Sequence, residues 1–178
     1  MQSVVPDAGE QPVFPMKTFS GMSKVATDAY APPSALPFAA DYPKSAGAPM
    51  GVFVSIRADY PAGETEIVEE YDSSSTYGSF RVREKEVPAG SLDQSFINQI
   101  PSICSTTCNG SLVTLEPGVV GALLAGPNGP TSVTWLQGQF EMIVIGPVDT
   151  FPVDTAVAIA KEVATGFNPT TATGESSG

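Results

Sequence analysis

The sequence predicts an α+β fold, in which a curled antiparallel sheet of about six to eight strands packs on a C-terminal helix. Short runs in which apolar and polar residues alternate dominate the middle of the chain, as in half-buried strands. The chain has 17 Gly and 17 Pro, and these residues favour turns between short strands. A long helical pattern follows the last run, and a short one precedes a pair of cysteines. We expect the helices to cover one face of the sheet.

The length and the composition suit one domain with less ordered ends. The chain has 178 residues, of which 42% are hydrophobic, enough for a real core. Residues 1–35 are rich in Pro and predict an extended arm or linker, and residues 36–167 a single α+β domain. Residues 168–178 are polar and of low complexity, which predicts a flexible tail.

Three runs in the first half predict a meander of strands, at 51–60, 64–72 and 77–87. In the third run the alternation points Phe80 and Val82 inward. It points Arg81, Arg83 and Lys85 outward.

The second of these runs is acidic and permits two interpretations. Its acidic residues are Glu64, Glu66, Glu69, Glu70 and Asp72. A calcium site is one interpretation, but the spacing does not follow the Asp-x-Asp-x-Asp-Gly pattern. The other is a solvated outer face, with Glu66 and Glu70 opposite the basic residues of the next strand and Glu69 on the reverse face. Such exposed ion pairs would contribute at most about 1 kcal/mol each.

The second half predicts a short helix, four strands and a longer helix. The short helix spans 91–100, with Ser91 as its N-cap. Strands follow at 111–116 and 118–126, then a hairpin at 131–146, and the longer helix at 151–166. Trp135, the only tryptophan, lies in the hairpin that turns at Gln137 and Gly138. We expect its ring to lie on the core and its N–H to find a partner; a ligand-stacking surface is the alternative.

Cys104 and Cys108 are four positions apart, and we expect a structural disulfide that closes a tight turn. Redox chemistry is the alternative, although its motif usually has two intervening residues rather than three. A zinc site is not predicted, because two thiolates without histidine do not complete one.

Composition argues against most enzyme classes and against nucleic-acid partners. The absence of histidine excludes Ser-His-Asp and Cys-His catalysis and His-ligated metals. The net charge of −11 would be repelled by phosphate backbones. We therefore predict a protein that is not an enzyme and has no cofactor and no metal. An enzyme would need carboxylates such as Asp59 and Glu84 to converge in a pocket.

The stretch from Gly118 to Val163 resembles the C-terminal half of a bacterial domain family of uncharacterised function. That family occurs in membrane-anchored, anti-sigma-like regulators and in lipoproteins. The resemblance rests on the strand Thr131 to Trp135, the turn Gln137-Gly138, the return strand Phe140 to Ile145 and the helical motif Ile159 to Val163. Across 36–165 it is looser. It implies a fold like the half-barrels of periplasmic lipoprotein carriers and envelope sensors, and no catalytic residues.

The resemblance and the composition together suggest a function outside the cytoplasm. Few Lys, much Ser and Thr and a close cysteine pair favour an extracytoplasmic place, in the cell envelope or secreted, with any membrane tether outside this chain. We expect a sensor or binding domain for a lipid, peptide or protein. Its candidate partner surface comprises Trp135, Phe140, Met142, Val144 and Phe151. The alternative is a structural or assembly protein, such as a surface-layer, filament or virion component, that forms a homo-oligomer and uses the N-terminal arm for subunit contacts.

Overall fold

The computed structural model describes residues 27–30, 43–56, 66–103, 108–127 and 129–167. Within them the chain forms eight strands and two α-helices, which confirms the α+β class. The elements are β1 (Thr27–Tyr30), β2 (Gly51–Ile56), β3 (Glu66–Tyr71), β4 (Phe80–Glu86), α1 (Gln94–Ile103), β5 (Asn109–Glu116), β6 (Val119–Gly126), β7 (Gly129–Gln137), β8 (Phe140–Gly146) and α2 (Val153–Gly166).

All the strands belong to one open antiparallel sheet, in the order β1-β2-β3-β4-β8-β7-β6-β5. Two meanders, β1 to β4 and β5 to β8, meet where β4 pairs with β8. The last strand of each meander therefore lies in the middle of the sheet. Of the described strands, β1 and β5 form the two edges.

The two helices pack on opposite faces of the sheet, so the expectation that one face is covered was wrong. Leu123 and Val133 point toward the α2 side and share its hydrophobic core. Their neighbour Ala122 points the other way and packs against Ile97 and Ile100 of α1. Both faces of β6 are apolar, because its sequence is a nearly continuous run of small and aliphatic residues. A run of this kind can bury both of its faces.

Small side chains let α2 lie close to the sheet. Its buried face consists of Ala156, Ile159, Ala160, Val163 and Ala164. The helix begins after Pro152, which is its N-cap, with Asp154 in the first turn at the positive end of the helix dipole. It ends where the Phe167 N–H bonds to the Val163 carbonyl.

Helix α1 differs from its prediction at both ends. Asp93, rather than Ser91, caps its first turn: Oδ1 accepts the Ser95 N–H at 2.9 Å and the Phe96 N–H at 3.3 Å. The helix also continues through Pro101 to Ile103, beyond the predicted end at Ile100. Side-chain geometry decided the cap, because both Ser and Asp are good N-cap residues.

The predicted arm contains one strand, since β1 pairs with β2. The rest of the arm, and the tail at 168–178, lie outside the described residues, and both stay predictions. No helix among the described residues has the length and apolar character needed to cross a membrane.

Candidate functional site

The candidate surface predicted from the sequence is part of the core. Its five side chains, Trp135, Phe140, Met142, Val144 and Phe151, have no exposed area and belong to the cluster that includes α2. The four residues of the hairpin face α2 because the register of β7 and β8 sets Trp135 opposite Met142 on that side of the sheet. The structure therefore offers no open apolar surface at these residues.

Trp135 occupies the structural role that its alternating pattern predicts. Its Nε1–H donates to Gln137 Oε1 at 3.2 Å. The Gln137 amide in turn donates to the Ala164 carbonyl at 2.9 Å and to Glu116 Oε1 at 3.1 Å. Gln137 thus joins the end of the hairpin to the end of α2 and to the end of β5.

Phe151 closes the other end of the core. Its ring stacks on Phe80 with centroids 5.3 Å apart, and Phe80 stacks on Tyr71 at 4.3 Å. The Phe151 ring lies against Gly146, where a Cβ would overlap it. These contacts leave Phe151 inaccessible to a ligand.

The acidic strand pairs with the basic strand as predicted, but Glu66, Glu70 and Arg81 are buried. Arg81 Nη2 lies 3.0 Å from Glu70 Oε1, with 2% and 0% of the two side chains exposed. Arg83 Nε lies 2.7 Å from Glu66 Oε1, and Glu66 is also buried. The prediction of a solvated outer face was therefore wrong. The alternation pattern shows which residues share a face, but it does not show whether that face is covered.

Two further carboxylates lie on the face that packs on α2. Register places Glu69 of β3 and Glu84 of β4 on that side, and both are fully buried. The Tyr71 hydroxyl donates to Glu69 Oε2 at a long 3.5 Å. Sequence reasoning placed Glu69 on the reverse face but gave no sign that it is buried. Asp59, the suggested catalytic partner of Glu84, lies outside the described residues.

The remaining sequence candidates yield no defined centre. Cys108 immediately precedes β5, whereas Cys104 lies outside the described residues, so the disulfide stays a prediction. Within the described ranges, no three or more Cys, Asp or Glu side chains form a group that could hold a metal ion. A shallow cavity of about 360 Å³ lies between the residues near Ala46 and the turn at 72–76. Its described lining residues include no aromatic side chain and one carboxylate, Asp72, whose Oδ1 accepts the N–H of Ser74 in its own turn.

One region of the described surface combines an open strand edge with exposed apolar side chains, and we call it the β5 edge. It comprises β5 and the helix α1 that lies along it. Residues Asn109 to Leu112 are all exposed, and so is Thr114. Leu112 is 48% exposed, and on α1 Phe96 and Ile103 are 39% and 75% exposed.

A close backbone approach fixes α1 along β5. A Cβ built on Gly110 would lie 2.5 Å from the Pro101 carbonyl oxygen, so only glycine fits there. At the other end of the helix, the Gln94 side chain donates to the Val120 carbonyl at 3.3 Å. The helix therefore runs antiparallel to β5, and Leu112 lies on the same side of the sheet as α1. The sequence predicted both elements but not that β5 would lie at an edge.

Comparison of the chain with protein-family models, with curated proteins and with solved structures finds no match.

Proposed function

We propose that this protein is a non-catalytic, extracytoplasmic binding domain that takes up an extended segment of a protein partner at the β5 edge. The observation that carries the proposal is the exposure of β5 from Asn109 to Leu112 at the end of the sheet. An edge strand presents unpaired backbone N–H and C=O groups, and another extended chain satisfies them by adding a strand.

The first six residues of β5 lack the features that normally block strand addition. Edge strands are commonly protected by lysines, prolines, bulges or short length. The register irregularity of β5 lies between Thr114 and Glu116, near the end of the strand. β5 has eight residues, and neither a proline nor a basic residue lies among them. Its only charged residue, Glu116, is at the far end, where its carboxylate is bonded to Gln137. The central residues remain accessible to a partner.

A lipid or small apolar ligand fits the structure less well. Such ligands occupy concave, mostly apolar pockets. The side chains predicted to line one, such as Phe140 and Met142, are instead packed against each other and α2. Protein or peptide is thus the partner class that the exposed groups favour. The extracytoplasmic location rests on the composition and on the family resemblance.

Selection from a library of random extended peptides tests the proposal, with the wild-type chain as bait; the selected peptides are then measured against Leu112→Lys. We expect peptides that bind the wild-type chain and shift the amide resonances of β5 in the NMR spectrum. Val153→Lys, which changes a similarly exposed apolar residue on α2, is the matched control and should bind them normally. Peptides that bind elsewhere, or equally well to Leu112→Lys, would contradict the proposal.

A further inference from the structure

We infer that the segment taken up at the β5 edge is basic, with a Lys or Arg placed two residues before an apolar residue. The inference rests on the proposed function, because it names the chemistry of the protein partner at that same edge. In this arrangement the apolar side chain packs on Leu112, and the cation lies beside the carboxylates of Asp93 and Glu116.

These two carboxylates bound an uncharged stretch of the chain that forms the β5 edge. Residues 94–115, which contain α1 and nearly all of β5, include no Asp, Glu, Lys or Arg. Asp93 immediately precedes this stretch, and Glu116 immediately follows it. Because α1 runs antiparallel to β5, the fold brings the two residues to the same end of the edge.

Contacts on the α1 side of the sheet place Asp93 near the C-terminal end of β5. The next residue, Gln94, donates its side-chain amide to the Val120 carbonyl at 3.3 Å. Val120 pairs with Thr114 in the register of β5 and β6. Asp93 is exposed and Glu116 is half-buried, whereas the described residues of α1 and β5 at the opposite end of the edge are uncharged. A cation on the partner therefore finds carboxylates at one end of the edge.

The half of the sheet that holds the edge is itself acidic. Between Lys85 and Lys161 the sequence contains no basic residue, and this stretch forms α1 and the four strands β5 to β8. Its acidic residues are Glu86, Asp93, Glu116, Glu141, Asp149 and Asp154. An acidic segment would be repelled from this region, and a basic segment would be attracted to it.

The register assigns positions within the partner segment. All neighbouring strands of the described sheet are antiparallel, and an added strand of the same sense continues the pattern. Leu112 and Thr114 both lie on the α1 face, and so do the partner residues directly opposite them. The residue opposite Thr114 comes two positions earlier in an antiparallel partner. A Lys or Arg there lies nearest Asp93, and its aliphatic stem can pack on Phe96, which is 39% exposed one turn along α1.

The peptides selected on the wild-type chain supply the probes. Compared with the unselected library, we expect them to be enriched in a Lys or Arg two residues before an apolar residue. Each is then resynthesised with that Lys or Arg moved to two residues after the apolar one. The moved peptide keeps its composition and charge, so general attraction to the acidic chain is unchanged. We expect its affinity to fall about three- to fivefold, because the cation then lies at the uncharged end of the edge.

Variants of the full chain test the two carboxylates. The double variant Asp93→Asn, Glu116→Gln keeps oxygens that accept the hydrogen bonds of Ser95 and Gln137. It should bind the original peptides about three- to fivefold more weakly, and the difference should shrink in high salt. Asp154→Asn removes an exposed carboxylate from the first turn of α2 and is the matched control, which should bind normally.

Isothermal titration measures these affinities, amide shifts of β5 show where each peptide binds, and circular dichroism should show all the variants to be folded. Peptides that bind β5 without the enrichment overturn the inference. So do equal affinities of the original and moved peptides, or of the wild-type chain and the double variant. The proposed function survives each of these results, because peptides still bind β5. If no peptide binds β5, both fail.

Discussion

At the scale of the residue, burial changes what the charged side chains contribute. The sequence predicts that Glu70 faces the basic residues of the next strand, and its Oε1 lies 3.0 Å from Arg81 Nη2. Exposed pairs of this kind contribute little to stability. Here both side chains are buried. Removing one of them would leave the opposite charge buried without this ion pair, which is strongly destabilising. The contribution of a charged residue to stability therefore depends on whether its face of the sheet is buried, and the alternation pattern does not show this.

Arg81→Met is expected to lower the free energy of unfolding by about 3–5 kcal/mol, because Glu70 would keep a buried charge without its guanidinium partner. The double variant Arg81→Met, Glu70→Leu should recover most of that loss. Lys85→Met is the matched control. Its contact with Glu141 is longer, at 3.8 Å, and 15% of each side chain is exposed, so Lys85→Met should destabilise the fold less than Arg81→Met does. Urea denaturation measures all three, and equal effects of Arg81→Met and Lys85→Met would contradict the account.

Gly146→Ala is expected to destabilise the fold by about 1–3 kcal/mol, because the new methyl group would overlap the fully buried Phe151 ring. The neighbouring Phe80 ring leaves Phe151 little room to move away. Gly129→Ala, where a Cβ would meet nothing within 4 Å, should be nearly neutral. The two melting temperatures provide the comparison, and a neutral Gly146→Ala would show that the ring is not packed there as described.

At the scale of the element, most of the helices and strands could be predicted from the hydrophobic periodicity and from the Gly and Pro residues between the periodic runs. The hairpin of β7 and β8 turns at Gly138 and Gln139, one residue later than the predicted Gln137-Gly138, and Gly138 has the positive φ of 62° that favours glycine in a tight turn. The helix boundaries were harder to predict, because Ser91 and Asp93 are both good N-cap residues. Only the bonds that Asp93 makes to the first turn of α1 distinguish them.

The cap makes α1 sensitive to acid. Hydrogen bonds from the Ser95 side chain, and then from the Phe96 backbone, lower the pKa of Asp93 below its usual 3.8. A lowered pKa in the folded state means that the stabilisation is present above the unfolded value and is lost as the pH falls through the folded one. We expect the helical ¹³Cα shifts of α1 to decrease in that acidic range. Asp93→Asn keeps an uncharged acceptor, so its shifts should lack this step. A step of the same size in Asp93→Asn would mean that another group causes it.

At the scale of the whole molecule, the arrangement of elements was less predictable than the elements themselves. Strand β4 pairs with β8, far along the chain, and this contact leaves β5 at an edge. Period-two patterns define faces but not neighbours, so the sequence could not distinguish an edge strand from a central one. For the same reason the aromatic residues of the hairpin suggested a surface. They are the core, and the exposed groups lie on the β5 edge.

The central claim is that the β5 edge takes up another strand, and amide hydrogen exchange of β5 with and without a selected peptide tests it most directly. Amides of residues 109–115 that point away from β6 should exchange fast in the chain without peptide. They should exchange slowly when the peptide is bound, because its strand would accept hydrogen bonds from them. Amides of β7, in the middle of the sheet, should be equally protected in both. Fast exchange of the outward β5 amides with every selected peptide bound would contradict the claim.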